Sequence, residues 1–191
     1  TKTDDEIKSH INFTNEEMEK LKAAIGKVDH ADLLYVDCYS GWRPTELCEL
    51  LLENVDLDKM TFTGGKKTKS GTNRVVPIHP NIQEIVKQHY AQSRALGSKY
   101  LFSAARDKSK HDYYIYYAKY LDWFQLVCKT LEFGKHSPHD CRVQFVTMAK
   151  QYDVNEYAIK YLVGHSIKDL TERVYTKRTN EWLRTEIEKI K

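Results

Sequence analysis

Apolar positions recur along this chain mainly at helical spacing, with one interruption. Thr14 and Glu17 form a capping-box pair, with Phe13 and Met18 placed as its hydrophobic staple, so a helix is predicted from there to about residue 25. The run Ala-Asp-Leu-Leu-Tyr-Val-Asp-Cys-Tyr at 31–39 suits a buried helix that stops near Gly41. Pro44 is placed for a first helical turn, which predicts the next helix over 44–53. The interruption follows. Val55-Asp56-Leu57 and Met60-Thr61-Phe62 read as a short strand, Gly64-Gly65 and Ser70-Gly71 as turns, and Arg74-Val75-Val76-Pro77-Ile78 as the returning strand. Helical spacing then resumes at 80–95, where Ile82, Ile85, Val86 and His89 share a face. Further helices are predicted at 113–131, 138–151, 155–163 and 169–176. A tail at 181–191 places Trp182, Leu183, Ile187 and Ile190 at helical spacing. The expected class is mainly α with a small antiparallel β-sheet, an α+β fold.

Composition narrows this picture without choosing a function. A chain of 191 residues fits one domain with a sound core. With 41% apolar and 30% charged residues and only 4 prolines, disorder is excluded as a general description. A formal net charge of +3 is too small to diagnose a nucleic-acid partner, because the arrangement of charge matters more than its sum. Cys38, Cys48, Cys128 and Cys141 lack paired spacing and read as reduced, buried thiols. No apolar run approaches membrane-spanning length and no secretory h-region opens the chain, which together point to a cytoplasmic protein with no membrane partner. The polar start at residues 1–9, without an initiating Met, reads as part of a larger protein.

Candidate chemistry lies in short patterns far apart in sequence. Arg43 stands at a predicted helix start, where its fixed donors and free backbone N–H groups suit an anion. Glu46, three residues on, can hold the guanidinium. Lys66, Lys67, Lys69 and Arg74 surround the predicted hairpin tip, where a flexible ammonium can reach a DNA groove and donate a proton, or can serve backbone contact alone. His139 and Arg142 share one face of a helix starting near Pro138. His165 follows a glycine at a helix end. A metal reading of His136 with Cys141 lacks a second ligand cluster. Tyr175 is one of 13 tyrosines, so chemistry alone does not select it.

Together these strings resemble the catalytic boxes of tyrosine recombinases, the phage and transposon integrase family. Gly41-Trp42-Arg43-Pro44-Thr45-Glu46-Leu47 is similar to the first arginine box, Ser137-Pro138-His139-Asp140-Cys141-Arg142 to the second, and Leu162-Val163-Gly164-His165 to the histidine turn. Val143-Gln144 departs from the usual pair after the second arginine. The ten-residue step from His165 to Tyr175 is one longer than the common spacing, as in integrases of conjugative transposons and some phages. The resemblance covers about residues 12–178. It implies Arg43, Lys69, His139, Arg142, His165 and Tyr175 as catalytic residues, with Lys67 the alternative lysine. It implies Glu46 as support, and Lys66, Lys67 and Arg74 as DNA contacts.

The resemblance also implies strand cleavage and rejoining through a 3′-phosphotyrosine and a Holliday junction, with no metal, ATP or other cofactor. Implied partners are double-stranded DNA, further copies of the chain forming a tetramer on DNA, and accessory DNA-bending or directionality proteins. The protein would be bacterial or phage-encoded and nucleoid-associated. The expected division is a linker remnant at 1–12, a catalytic domain at 13–178, and a tail helix at 179–191 that either packs within the chain or exchanges between subunits. The rival readings are relaxation by a type IB topoisomerase, a DNA-binding module without catalysis, and an unrelated helical interaction domain.

Overall fold

The computed structural model describes residues 10–65, 71–104, 113–167 and 179–191. Helix α1 (Asn15–Ala24) starts at the expected capping box. The Thr14 side chain accepts from the Glu17 N–H at 3.1 Å, and Glu17 Oε2 accepts from the Thr14 N–H at 2.8 Å. Phe13 and Met18 are both buried. Helix α2 (Ala31–Ser40) has nine of its ten residues buried, because α1 and α6 (Pro138–Gln151) pack against it and it forms the centre of the core. It ends at Gly41, where the chain enters the left-handed region at φ 67°.

The next helix is shorter than the sequence predicts. Helix α3 covers Pro44–Cys48 only, followed by a 3-10 turn at Leu52–Asn54. The reason is tertiary. The Leu52 N–H donates to Lys99 O and the Leu101 N–H to Leu50 O, each at 2.8 Å, and these long-range bonds draw 50–52 out of the helix.

The sheet has three strands where two are expected. The chain turns at 57–60, with Met60 at φ 46°, and splits the first strand into β1 (Val55–Asp56) and β2 (Thr61–Gly64). Strand β3 (Arg74–Pro77) completes the antiparallel order β1-β2-β3. Its register sets Phe62 opposite Val76, both fully buried, and Gly64 opposite Arg74.

Helix α4 (Gln83–Leu96) follows a 3-10 turn at Pro80–Ile82. Ile82, Ile85 and Val86 are buried as predicted, and His89 bonds Asp32 at 2.8 Å. Helix α5 (Tyr117–Thr130) begins later than the predicted residue 113, since the Tyr113 carbonyl is engaged by the Ala104 N–H at 2.9 Å. Helices α6 and α7 (Glu156–Leu162) stand where expected. The predicted helix at 169–176 lies outside the described residues.

The tail forms α8 (Asn180–Ile187), capped by Thr179. It packs on β3 and α7 and buries Leu183, Ile187 and Ile190, each such side chain contributing about 1.5–3 kcal/mol. The Asn155 N–H donates to Glu186 at 2.7 Å, and His79 Nε2 lies 2.9 Å from the Ile190 carbonyl. All four cysteines are buried free thiols. No described helix is long and apolar enough to cross a membrane.

Candidate active site

Arg142 ties the site together. It rises from the first turns of α6, whose N-terminus is closed by Asp140 accepting from the Ser137 N–H at 2.8 Å. Its Nη1 donates to the Gly41 carbonyl at 2.8 Å, two residues before Arg43. Its Nη2 donates to the Val163 carbonyl, two residues before His165. One guanidinium therefore fastens the end of α2 to the turn after α7. Arg142 is only 4% exposed, and burial first, then the neighbouring Arg43 and Arg74, push its pKa down to about 10.

Arg43 precedes Pro44 at the start of α3 and is more open, with 16% of its side chain exposed. Glu46 accepts from its Nη1 at 3.2 Å and from its backbone N–H at 3.3 Å. Burial raises the Glu46 carboxyl, but the Arg74 hydrogen bond and charge, with Arg43, outweigh it and leave the pKa lowered.

The two histidines stand in the same positive field. Burial is the largest influence on each and lowers both. Arg142 and Arg43 push both down further, Arg74 and Lys160 also act on His165, and His10 acts on His139. His165 lies just past Gly164, whose φ of 69° ends α7, and its N–H donates back to Lys160 O at 2.8 Å. Neutral imidazoles beside cationic arginines can donate to an anion or accept a proton.

The structure brings Arg43, Glu46, His139, Arg142 and His165 into one cluster. Lys66, Lys67, Lys69 and Tyr175 lie outside the described residues. Arg74 differs from expectation. It is 2% exposed, so it does not present its guanidinium at the surface as a DNA contact would. Its three donor nitrogens point to acceptors of the protein itself: Nε to Leu162 O at 3.0 Å, Nη1 to Gly71 O at 3.1 Å and Nη2 to Glu46 Oε2 at 3.0 Å. The guanidinium carbon lies 3.8 Å over the buried Trp42 ring. The signal was in the strand, where the period of two puts Arg74 on the same face as the buried Val76.

Two further residues escaped the motif reading. Asp37, fully buried in α2, accepts from the Tyr120 hydroxyl at 2.5 Å. Burial pushes it up to about 7, against the pull of Tyr120, Cys141 and Arg142. Its apolar surroundings at 31–39 were a visible hint. His10 bonds Asp140 at 2.9 Å and sets its ring 4.6 Å from that of His139. Nothing local to residue 10 marks that contact.

Residues 3–181 match the family model described as the phage integrase family. The chain is 33% identical over 184 residues to the tyrosine recombinase XerA of Thermococcus kodakarensis, covering 94% of this chain and 62% of that protein. The chain thus spans about three-fifths of the length of the curated relatives it matches. The crystal structure of XerA recombinase superposes with a TM-score of 0.70 at 20% identity, over 92% of this chain and 63% of the other. The Tn1549 transposon integrase in complex with circular intermediate DNA gives 0.70 at 20% identity, over 97% and 67%. At such identity the likeness is one of fold. A family model spanning most of the chain, with the clustered arginines and histidines, carries the assignment further: this chain belongs to the phage integrase family.

Proposed function

We propose that the chain is the catalytic portion of a site-specific tyrosine recombinase that cuts and rejoins double-stranded DNA. The observation that carries this reading is the Arg142 guanidinium spanning Gly41 and Val163, which sets Arg43 and His165 around one place with His139 alongside. Arg43 and Arg142 clamp the non-bridging oxygens of one phosphate, and His165 donates to one of them. The Tyr175 oxygen attacks phosphorus and gives its proton to His139. Lys69 protonates the departing 5′ oxygen as the P–O5′ bond breaks. The new O–P bond is a 3′-phosphotyrosine, which a second 5′-hydroxyl reverses, so the bond energy is kept and no hydrolysis occurs.

Crowded cations favour phenolate over phenol, whose unperturbed pKa is near 10, and they stabilise the pentavalent transition state. Loss of either arginine should add about 2–4 kcal/mol to the barrier. The same reading takes Lys66 and Lys67 as DNA contacts, a tetramer of this chain on two duplexes, accessory DNA-bending or directionality proteins, and a cytoplasmic, nucleoid-associated setting.

The test is incubation with a library of nicked duplexes, followed by sequencing of the covalently captured strands. Wild type is expected to form adducts, and Tyr175→Phe to bind the captured duplexes without an adduct. Adducts persisting in Tyr175→Phe, or none with wild type, would overturn the reading.

A further inference from the structure

We propose that Arg74 is a positioning residue for phosphodiester cleavage, acting through Glu46 and the histidine turn and not through DNA. The proposal deepens the recombinase reading and rests on it. One guanidinium meets three separate segments: the Glu46 carboxylate in α3, the Leu162 carbonyl at the end of α7, and the Gly71 carbonyl ahead of β3. Each contact sits close to a proposed catalytic group. Glu46 uses its other oxygen to hold Arg43 Nη1, so Arg74 and Arg43 share one carboxylate from opposite sides. Leu162 is followed by Val163, whose carbonyl takes Arg142, and then by Gly164 and His165.

Close packing fixes this arrangement. The Trp42 ring lies under the guanidinium, and Phe62 meets that ring edge-on at 6.4 Å between centroids. At Gly164 a Cβ would come within 3.0 Å of Gly71 Cα and 3.1 Å of Arg74 Nη1, so the turn fits against the arginine only without a side chain. A planar fork of donors can hold three acceptors in fixed directions. An ammonium has one nitrogen and cannot span them. Lysine at 74 therefore keeps the charge but loses the geometry, and Glu46 is free to shift with Arg43.

Misplacement of a clamping group by about 1 Å lowers a rate about 100-fold without needing to weaken substrate binding. That separates positioning from DNA contact. A phosphate contact, when lost, weakens affinity and reduces its salt dependence.

The experiment compares wild type, Arg74→Lys, Glu46→Gln and the double variant on a nicked duplex captured from the library. Single-turnover adduct formation gives the rate, and titration at several salt concentrations gives Kd. Arg74→Lys is expected to slow adduct formation about 100-fold with Kd and its salt slope unchanged, and the double variant to be little slower than the worse single one. A loss confined to Kd, a multiplicative double variant, or a wild-type rate in Arg74→Lys would overturn the proposal. Loss of cooperative unfolding in both Arg74→Lys and Arg74→Met would also overturn it, by making the residue a holder of the fold alone. Wild type that forms no adduct on any duplex would instead defeat the recombinase reading.

Discussion

Replacing Asp37 by Asn should stabilise the protein at alkaline pH and leave it nearly unchanged in acid. Asp37 is fully buried in α2, with its carboxyl pushed up to about 7 from the ordinary 3.8. The unfolded chain ionises this group freely above about pH 4, whereas the folded chain keeps it protonated until about pH 7. Across that window the folded state binds the extra proton, so stability falls as pH rises. Each unit of difference is worth about 1.4 kcal/mol, so a shift of roughly three units removes on the order of 4 kcal/mol by pH 8. Asn matches the protonated acid in shape and still offers an oxygen to the Tyr120 hydroxyl, but it does not ionise. Urea unfolding of wild type and Asp37→Asn, followed by tryptophan fluorescence from pH 4.5 to 8.5, reads the difference directly. The variant's advantage should grow from near zero towards about 4 kcal/mol, with its midpoint between the two pKa values. Tyr120→Phe removes the hydrogen bond that favours the carboxylate, so it should extend the fall in wild-type stability to higher pH. An advantage that is flat with pH, or that shrinks as pH rises, would refute the reasoning.

Two further outcomes follow from the same geometry. Gly41→Ala should destabilise the fold by about 2–4 kcal/mol in denaturant titration, because φ is 67° and the new Cβ would lie 2.7 Å from Phe145 Cδ1. His139 and His165, both lowered from 6.5 chiefly by burial, take up protons less readily folded than unfolded; their contribution should therefore make stability fall as pH drops below about 6.5. Replacing both by Gln should flatten that part of the wild-type pH profile.

The sequence was most readable where local chemistry decides the structure. Thr14 with Glu17, Gly41, Pro138 and the largely apolar stretch of α2 each announce a helix end or a core by themselves. It was least readable where distant chain decides. Residues 50–52 leave their helix because Lys99 and Leu101 bond to them, and no property of 44–53 shows that. Arg43, Arg142 and His165 were legible as candidates because arginine and histidine at those places suit an anion. Their convergence was expected from the resemblance alone, because physically it depends on Gly41 and Val163 offering carbonyls to one guanidinium, which no local pattern shows. Arg74 shows the opposite failure. Its charge and hairpin position pointed outward, while strand alternation with Val76 pointed inward, and packing on Trp42 followed the alternation.

The acceptors chosen for the arginines explain how the cluster stays cationic. A carboxylate fixes a guanidinium but also cancels its charge, whereas a backbone carbonyl fixes it and leaves the charge in place. Glu46 touches both Arg43 and Arg74, so one negative charge is spread over two positive ones. Among the described residues, Arg142 donates hydrogen bonds to the Gly41 and Val163 carbonyls and to no carboxylate. The other carboxyl that bears on it, Asp37, is held towards its neutral form by burial, and ionises only as pH rises past about 7. Among the described groups that act on Arg142, three guanidinium charges, its own included, therefore stand against one ionised carboxylate at mildly acidic pH, in a setting where removal from water strengthens whatever charge is left. A phosphate is the anion whose charge and oxygen geometry match that surplus. If Asp37 were instead ionised throughout, Arg142 would be partly compensated from behind, and the same geometry would bind an anion less tightly. The raised carboxyl of Asp37 and the surplus at Arg142 are thus one electrostatic arrangement, built on α2 and α6 where they meet in the core.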